Sequence, residues 1–291
     1  MTRRQAVLGL AVVALVWGVS FTLIKETLRD VSPVAFLAVR FTLAAILVAG
    51  WWRGITRAEL RAGALLGVFF WGGFVFQTQG LAYTTPSRSA FITGISTPLV
   101  PLVAYLVDRV LPRPVMLVGV VLAGAGMYLL TAPGGAGGLN RGDLLTGGCA
   151  VLFACQIVTA GHYAQRCRPE RLLVVQLTLT AVLSALAASW VEVPRLALGR
   201  GSLLALLFLS VSAVATFWFQ LRAQREVSAA QTALVFTLEP LCAAVTSYLV
   251  LGETLGAVQW AGGALILFGT ALPEARARAA IGAPAPPPSA T

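Results

Sequence analysis

The sequence predicts an all-α integral membrane protein of ten transmembrane helices, arranged as two inverted five-helix repeats. Three observations lead there. First, only 11% of the 291 residues are charged and 58% are apolar or aromatic, against about 25% and about 45–50% in an ordinary soluble domain. So little charge cannot wet the surface of a globule, and such high hydrophobicity excludes disorder for the bulk of the chain. Second, ten apolar runs follow one another, each close to the about 20 residues that cross about 30 Å of hydrocarbon as a helix. Third, the two halves echo each other. A shift of 142 lays Pro98, Leu99 and Val103 on Pro240, Leu241 and Val245. A shift of 143 lays Gly119, Leu122 and Gly126 on Gly262, Leu265 and Gly269. The proline pair and the glycine pairs carry this signal, because leucine and valine matches arise from composition alone. A repeat of five spans is odd, so its second copy enters the membrane in the opposite sense. Many secondary transporters are built so, with the substrate site between the halves; channels and membrane enzymes also carry repeats.

The first half is read over residues 1–132. The run 6–24 follows Arg3 and Arg4 as a signal peptide would, but its uninterrupted length favours a retained anchor. The run 34–52 opens behind Pro33 and places Arg40 seven residues on, about 10 Å into the helix. The third run, 62–83, carries Trp71, Gln77 and Gln79. The fourth, 87–107, presents the hydroxyls Thr93, Ser96 and Thr97 and then the helix breakers Pro98 and Pro101. The fifth, 115–131, has small residues at Gly119 and Ala123. Such spacing suggests close helix contact, within the chain or across a homodimer.

The second half is read over residues 143–272. Its runs are 144–165 (with Gln156 and His162, the single histidine), 172–190 (Gln176), 202–221 (Gln220), 229–251 and 255–272 (opening near Ala257 and Ala261). Glu239 lies 11 residues beyond Ser228, about 16 Å along the ninth helix and hence near the midplane. Pro240 follows it, removes a backbone donor and weakens the turn. Residues 273–291, with prolines at 284 and 286–288, read as a disordered tail.

Charge sets the orientation. Net +10 in a soluble protein would suggest nucleic acid. Here 14 of the 21 basic residues fall on the side holding both termini and six on the other, Arg40 aside. The positive-inside rule accounts for that surplus without a nucleic-acid partner and puts both termini in the cytoplasm. Cys149, Cys155, Cys167 and Cys242 form no CxxC pair and read as reduced thiols, with no metal, cofactor or disulfide framework expected.

Several segments resemble one family. Leu238-Glu239-Pro240-Leu241, then Leu251-Gly252-Glu253-Thr254-Leu255 and Gly262-Gly263, look like the last two helices of EamA-type transporters of the drug/metabolite transporter superfamily. Trp17-Gly18 with Phe21, Arg40-Phe41, Gly80-Leu81-Ala82-Tyr83-Thr84-Thr85, Ser89-Ala90-Phe91-Ile92 and Gly142-Asp143-Leu144 resemble other parts of it. The resemblance spans about residues 5–272. It implies ten helices in two inverted halves and export or exchange of small metabolites across the cytoplasmic membrane. Substrates in the family range over amino acids, amines, nucleosides and drugs. One departure is Val110, which stands where the second half has Glu253.

Ionisable groups at bilayer depth are functional candidates, because their transfer costs at least about 2.5–3.5 kcal/mol. Glu239 and Arg40 are the two such groups. Glu239 is a candidate for proton coupling or for binding a cationic group, and equally for a structural tie, since the resemblance places an acid here among members with differing substrates. Arg40 can hold a substrate carboxylate, pair with Glu239 in an empty site, or tie helices through carbonyls. The hydroxyls Thr93, Ser96 and Thr97, with Gln77 and the aromatic residues Trp17, Trp71 and Tyr248, complete the expected substrate or coupling site. Phe21, Phe74, Phe91, Phe217 and Trp218 are further candidates for its wall. The leading expectation is a secondary transporter, not an enzyme, with membrane lipid around it and a small-molecule substrate. The competing classes are an integral-membrane enzyme and a receptor or scaffold. The first needs clustered acids, bases or nucleophiles, and the second usually carries sizeable soluble loops.

Overall fold

The computed structural model describes residues 1–109, 114–131 and 139–282. Val110 and the proline-rich residues 283–291 lie outside them. The described residues form twelve α-helices: α1 (Arg3–Thr27), α2 (Pro33–Leu47), α3 (Arg57–Tyr83), α4 (Pro86–Thr93), α5 (Ser96–Asp108), α6 (Pro114–Thr131), α7 (Arg141–Ala164), α8 (Pro169–Val191), α9 (Arg200–Ala223), α10 (Ala229–Phe236), α11 (Leu238–Leu251) and α12 (Ala257–Gly282). The one β feature among them is an isolated bridge, Val31 to Leu196. Among the described residues, seven segments are long and apolar enough to cross a membrane: α1, α3, α4 continued by α5, α7, α8, α9, and α10 continued by α11. The protein is a multi-pass membrane protein of helices. In hydrocarbon each backbone donor and acceptor must be satisfied locally, and only helices or closed barrels do that.

Helix ends obey the side chains beside them. Capping boxes start α1 (Thr2 with Gln5), α3 (Thr56 with Glu59), α7 (Asn140 with Asp143) and α10 (Ser228 with Gln231). Each satisfies two donors that the helix cannot. The run expected at 34–52 is α-helical only to Leu47 and tightens into a 3-10 turn over Ala49–Trp52, around Gly50, a poor helix former. At the other end of the chain, α12 continues through Pro273 to Gly282. That corrects the expected tail for residues 273–282: Glu274-Ala-Arg-Ala-Arg-Ala-Ala is made of strong helix formers.

Packing follows a consistent set of pairs: α1 on α9 and α11, α7 on α3 and α5, α2 on α8 and α9, α3 on α8, and α6 on α12. The largest core joins Phe36, Phe41, Phe70, Phe74, Leu172 and Phe217 from α2, α3, α8 and α9. A second joins α1, α5, α7 and α10 around Leu10, Val100 and Phe236. Leu8, Val12, Ile46, Val121, Leu204 and Leu249 remain exposed, apolar surface that lipid covers. One small residue of α6, Gly126, acts inside the chain. A Cβ on Gly126 would lie 2.6 Å from the carbonyl oxygen of Gly262 and 2.8 Å from the backbone nitrogen of Ile266, so only glycine lets α6 and α12 approach this closely. Ala257 and Ala261 stay on the exposed side of α12.

Candidate functional site

Two spans are interrupted, and the interruptions meet. Pro98 cannot donate to the carbonyl of Gly94, nor Pro240 to that of Phe236, and α4 ends at Thr93 while α10 ends at Phe236. The break therefore opens one turn before each proline rather than at it. At the second break the Thr237 amide bonds back to Leu234 at 3.1 Å. That frees the carbonyl of Ala233, and the buried Thr97 hydroxyl donates to it across the gap at 3.0 Å. Pro240 in turn touches Gly94, whose Cβ would sit 3.3 Å from the proline ring. Helix α1 presses on the same place: a Cβ on Gly18 would lie 2.7 Å from the carbonyl oxygen of Glu239. The Trp17-Gly18 pair is thus one ring for the site and one gap for the backbone.

Around this crossing lies a cavity of about 50 Å³, room for a few water molecules at roughly 10–15 Å³ each on the same kind of measure. Glu239, Arg40, Thr93, Ser96, Thr97, Gln77 and Trp17 all line it. Six helices, with Trp17 and Glu239 222 positions apart in the chain, deliver these seven side chains to one place. Trp17 is fixed by a bond from its indole nitrogen to the Thr216 hydroxyl at 3.0 Å. It packs against Phe217 and Phe236 at centroid distances of 4.8 and 4.7 Å. Phe21, Phe74 and Phe153 extend the aromatic wall.

The two charges do not pair. Arg40 is 2% exposed, and its guanidinium carbon stands 5.1, 5.2 and 5.9 Å from the ring centroids of Phe41, Phe74 and Phe36. Its Nε donates to the carbonyl of Leu209 at 3.2 Å, while a second guanidinium nitrogen, Nη1, is buried without a partner. Of the alternatives for Arg40, the pair with Glu239 is not formed here: no ion pair joins them, and the ring faces supply the negative field that the carboxylate does not. Glu239 is buried at 8% exposure and lines the cavity.

Trp71 and Tyr248 do not reach the cavity, which corrects their place in the expected site. Tyr248 follows Glu239 by nine residues, two and a half turns, so it emerges on the opposite face of α11 at 59% exposure. Trp71 sits one turn before Phe74, at the edge of the face of α3 that carries Phe74 and Gln77, and does not line the cavity. No pattern in the sequence singles out Phe153, Ile157 or Phe236, whose apolar character is shared with every packing residue. Gln156 also lines the cavity, although in-span glutamines ordinarily bond a neighbouring helix.

Beyond the cavity, one end of the molecule is heavily fastened. Arg88 forms a buried ion pair with Asp143, and the Thr84 hydroxyl donates to the same carboxylate at 2.7 Å. Glu253 accepts from the amide and hydroxyl of Ser87 at 3.3 and 2.8 Å, capping α4 from outside. Glu192 accepts from the amides of Val34 and Ala35, capping α2 in the same way. Lys25 donates to the carbonyls of Leu81, Ala82 and Thr84, neutralising the C-terminal end of α3. The opposite end carries an ion pair between Glu59 and Arg171 at 2.9 Å. There Cys167 lies between α7 and α8, its thiol pushed up first by burial and further by Glu59.

A profile of the EamA-like transporter family matches the chain twice, over residues 4–132 and 140–273. An uncharacterized transporter of Archaeoglobus fulgidus is 34% identical over 268 residues, covering 91% of this chain and 84% of the relative. The uncharacterized transporter YyaM of Bacillus subtilis is 24% identical over 273 residues, covering 87% and 88%. A crystal structure superposes with a TM-score of 0.69 at 22% identity, over 96% of this chain and 99% of that one, which shows a shared fold. With the profile covering nearly all of it in two tandem matches, this chain belongs to the EamA-like transporter family.

Proposed function

We propose that this membrane transporter is a secondary exporter or exchanger of small metabolites that works by alternating access. Its solute binds between two inverted five-helix halves, residues 1–132 and 143–272, that together span the membrane ten times. The observation that carries this reading is the placement of Glu239 and Arg40: both open on one aromatic-walled cavity, unpaired with each other, where two broken helices cross. Interrupted helices near the midplane are where transporters of this architecture bind solutes, because unwound turns offer backbone polar groups that an intact helix has already used. The repeat is supported by the packing. Exchanging α1 with α7, α2 with α8, α3 with α9, α4–α5 with α10–α11 and α6 with α12 returns the same set of principal contacts. Left-handed caps at Arg109 and Gly252, 143 residues apart, fit the same exchange.

The chemistry favours a solute with an apolar body, an anionic group for Arg40 and a cationic or hydrogen-bonding group for Glu239. An amino-acid-like solute meets all three requirements; an amine meets two. Thr93, Ser96, Thr97 and Gln77 supply uncharged bonds, and Glu239 is the group through which a proton couples to transport. The chain lies in the cytoplasmic membrane with both termini inside.

The test is counterflow in proteoliposomes loaded with amino acids, amines, nucleosides or cationic drugs in turn. Saturable exchange of a labelled amino acid is expected, and no saturable exchange of any solute would overturn the reading. Orientation is checked by cysteines at positions 30 and 57, which should react with an impermeant maleimide from opposite sides of the membrane.

A further inference from the structure

The central cavity has a larger neighbour. Where α7 ends and α10 begins, a cleft of about 400 Å³ is lined by Val158, His162, Gln165, Gln224, Arg225 and Ser228, among others. Three glutamines stand between the two spaces, each at most 2% exposed. Gln156 of α7 lines the cavity, and Gln224, capping α9, lines the cleft. Gln220, one turn before Gln224, joins them: its Nε2 donates to Oε1 of Gln156 at 3.2 Å and to Oε1 of Gln224 at 3.4 Å. The file is anchored where Gln224 donates to the carbonyl of Ile157 at 3.0 Å.

The file is incompletely bonded in an informative way. Nε2 of Gln156 and Oε1 of Gln220 have no protein partner. Leaving a buried amide group unpaired is costly, whereas an apolar pair of the same size would pack there without that penalty. The two orphans are one donor and one acceptor on adjacent rungs, groups that gain water as partners once the seam parts. Neutral amides also impose no charge on what passes them. The other end of α7 is different. Asp143, 19 residues before His162 and so about 28 Å away along the helix, is locked to Arg88 and Thr84.

We propose that Gln156, Gln220 and Gln224 form the polar seam that parts to join the central cavity to the His162 cleft, so that access to the cavity opens at that end while the Arg88 end stays shut. The proposal rests on reading the central cavity as the solute site.

Single cysteines replace Gln224, Gln220 and Gln156 in a chain whose four native cysteines are alanine. An impermeant methanethiosulfonate is then added to one face of the membrane at a time. His162→Cys and Arg141→Cys mark the two ends. Reagent on the face that modifies His162→Cys should modify all three positions, more slowly with each step inward. Reagent on the face that modifies Arg141→Cys should modify none. Adding Gln220→Leu should suppress modification at position 156 and leave position 224 unchanged. Protection of 220 and 156 from both faces, or modification of 156 from the Arg141 face, overturns the path. Should the cysteine-free chain misfold, the same substitutions are compared with the native-cysteine chain as baseline. Modification reads access rather than transport. Counterflow with position 156 protected would sink the path alone, and a labelled path with no counterflow of any solute would sink the transporter reading alone.

Discussion

Arg40 is a charge kept in apolar surroundings by three phenyl rings and one carbonyl. Each ring face returns about 0.5–2 kcal/mol, while a buried charge without a counter-ion costs several kcal/mol. The balance decides between a structural tie and a held-ready binding group. Arg40→Met fills the same space without charge, so it should leave the protein equally stable or more stable by about 1–4 kcal/mol, and should abolish transport of anionic or zwitterionic solutes. A thermal-unfolding midpoint in detergent that fell with this variant would make Arg40 a tie instead. Glu239 poses the matching question about protons. Glu239→Gln keeps the size and one acceptor but cannot lose a proton, so solute exchange should persist while uphill transport driven by a pH gradient disappears. Normal gradient-driven uptake in this variant would refute coupling at Glu239. Both residues were legible in the sequence, because charge in a hydrophobic run has few innocent explanations. Their separation was not, since which aromatic rings surround a guanidinium depends on helices α2 and α3 meeting far from either end.

At the scale of the element, the prolines announced that two helices break but not where the break opens. Proline leaves its own position helical and strips the carbonyl four residues earlier, so the gaps fall at Gly94-Ile95 and Thr237. The cross-bond from Thr97 to the Ala233 carbonyl then replaces a bond that neither helix can make internally. Thr97→Val keeps the shape and removes that bond. It should lower stability by about 1–3 kcal/mol, the penalty for one buried carbonyl left unpaired, visible as a lower unfolding midpoint; Thr97→Ser should restore most of it. An unchanged midpoint in Thr97→Val would mean that the two breaks are not tied. The extension of α12 to Gly282 teaches a related point. One proline at position 273 looks like a stop, yet helix formers on both sides outweigh it.

At the scale of the molecule, the two ends are fastened unequally. Arg88 with Asp143, Glu253 on Ser87 and Glu192 on α2 all join distant parts of the chain at one end. In the sequence these charges merely flank apolar runs, where they set orientation; which of them would pair depends on helix neighbours that no local pattern encodes. The central cavity, at about 50 Å³, has a consequence for kinetics. Nothing the size of a metabolite can enter by diffusion into a space that admits only a few waters. Capture must wait for the helices to part, and waiting has its own clock. The observed association rate, followed through the fluorescence of Trp17 in a chain whose other tryptophans are phenylalanine, should therefore climb with solute concentration and then level off at the rate of opening. A rate that keeps rising in proportion to concentration would mean that the gate is already ajar. The plateau, if measured, is the tempo at which this protein breathes.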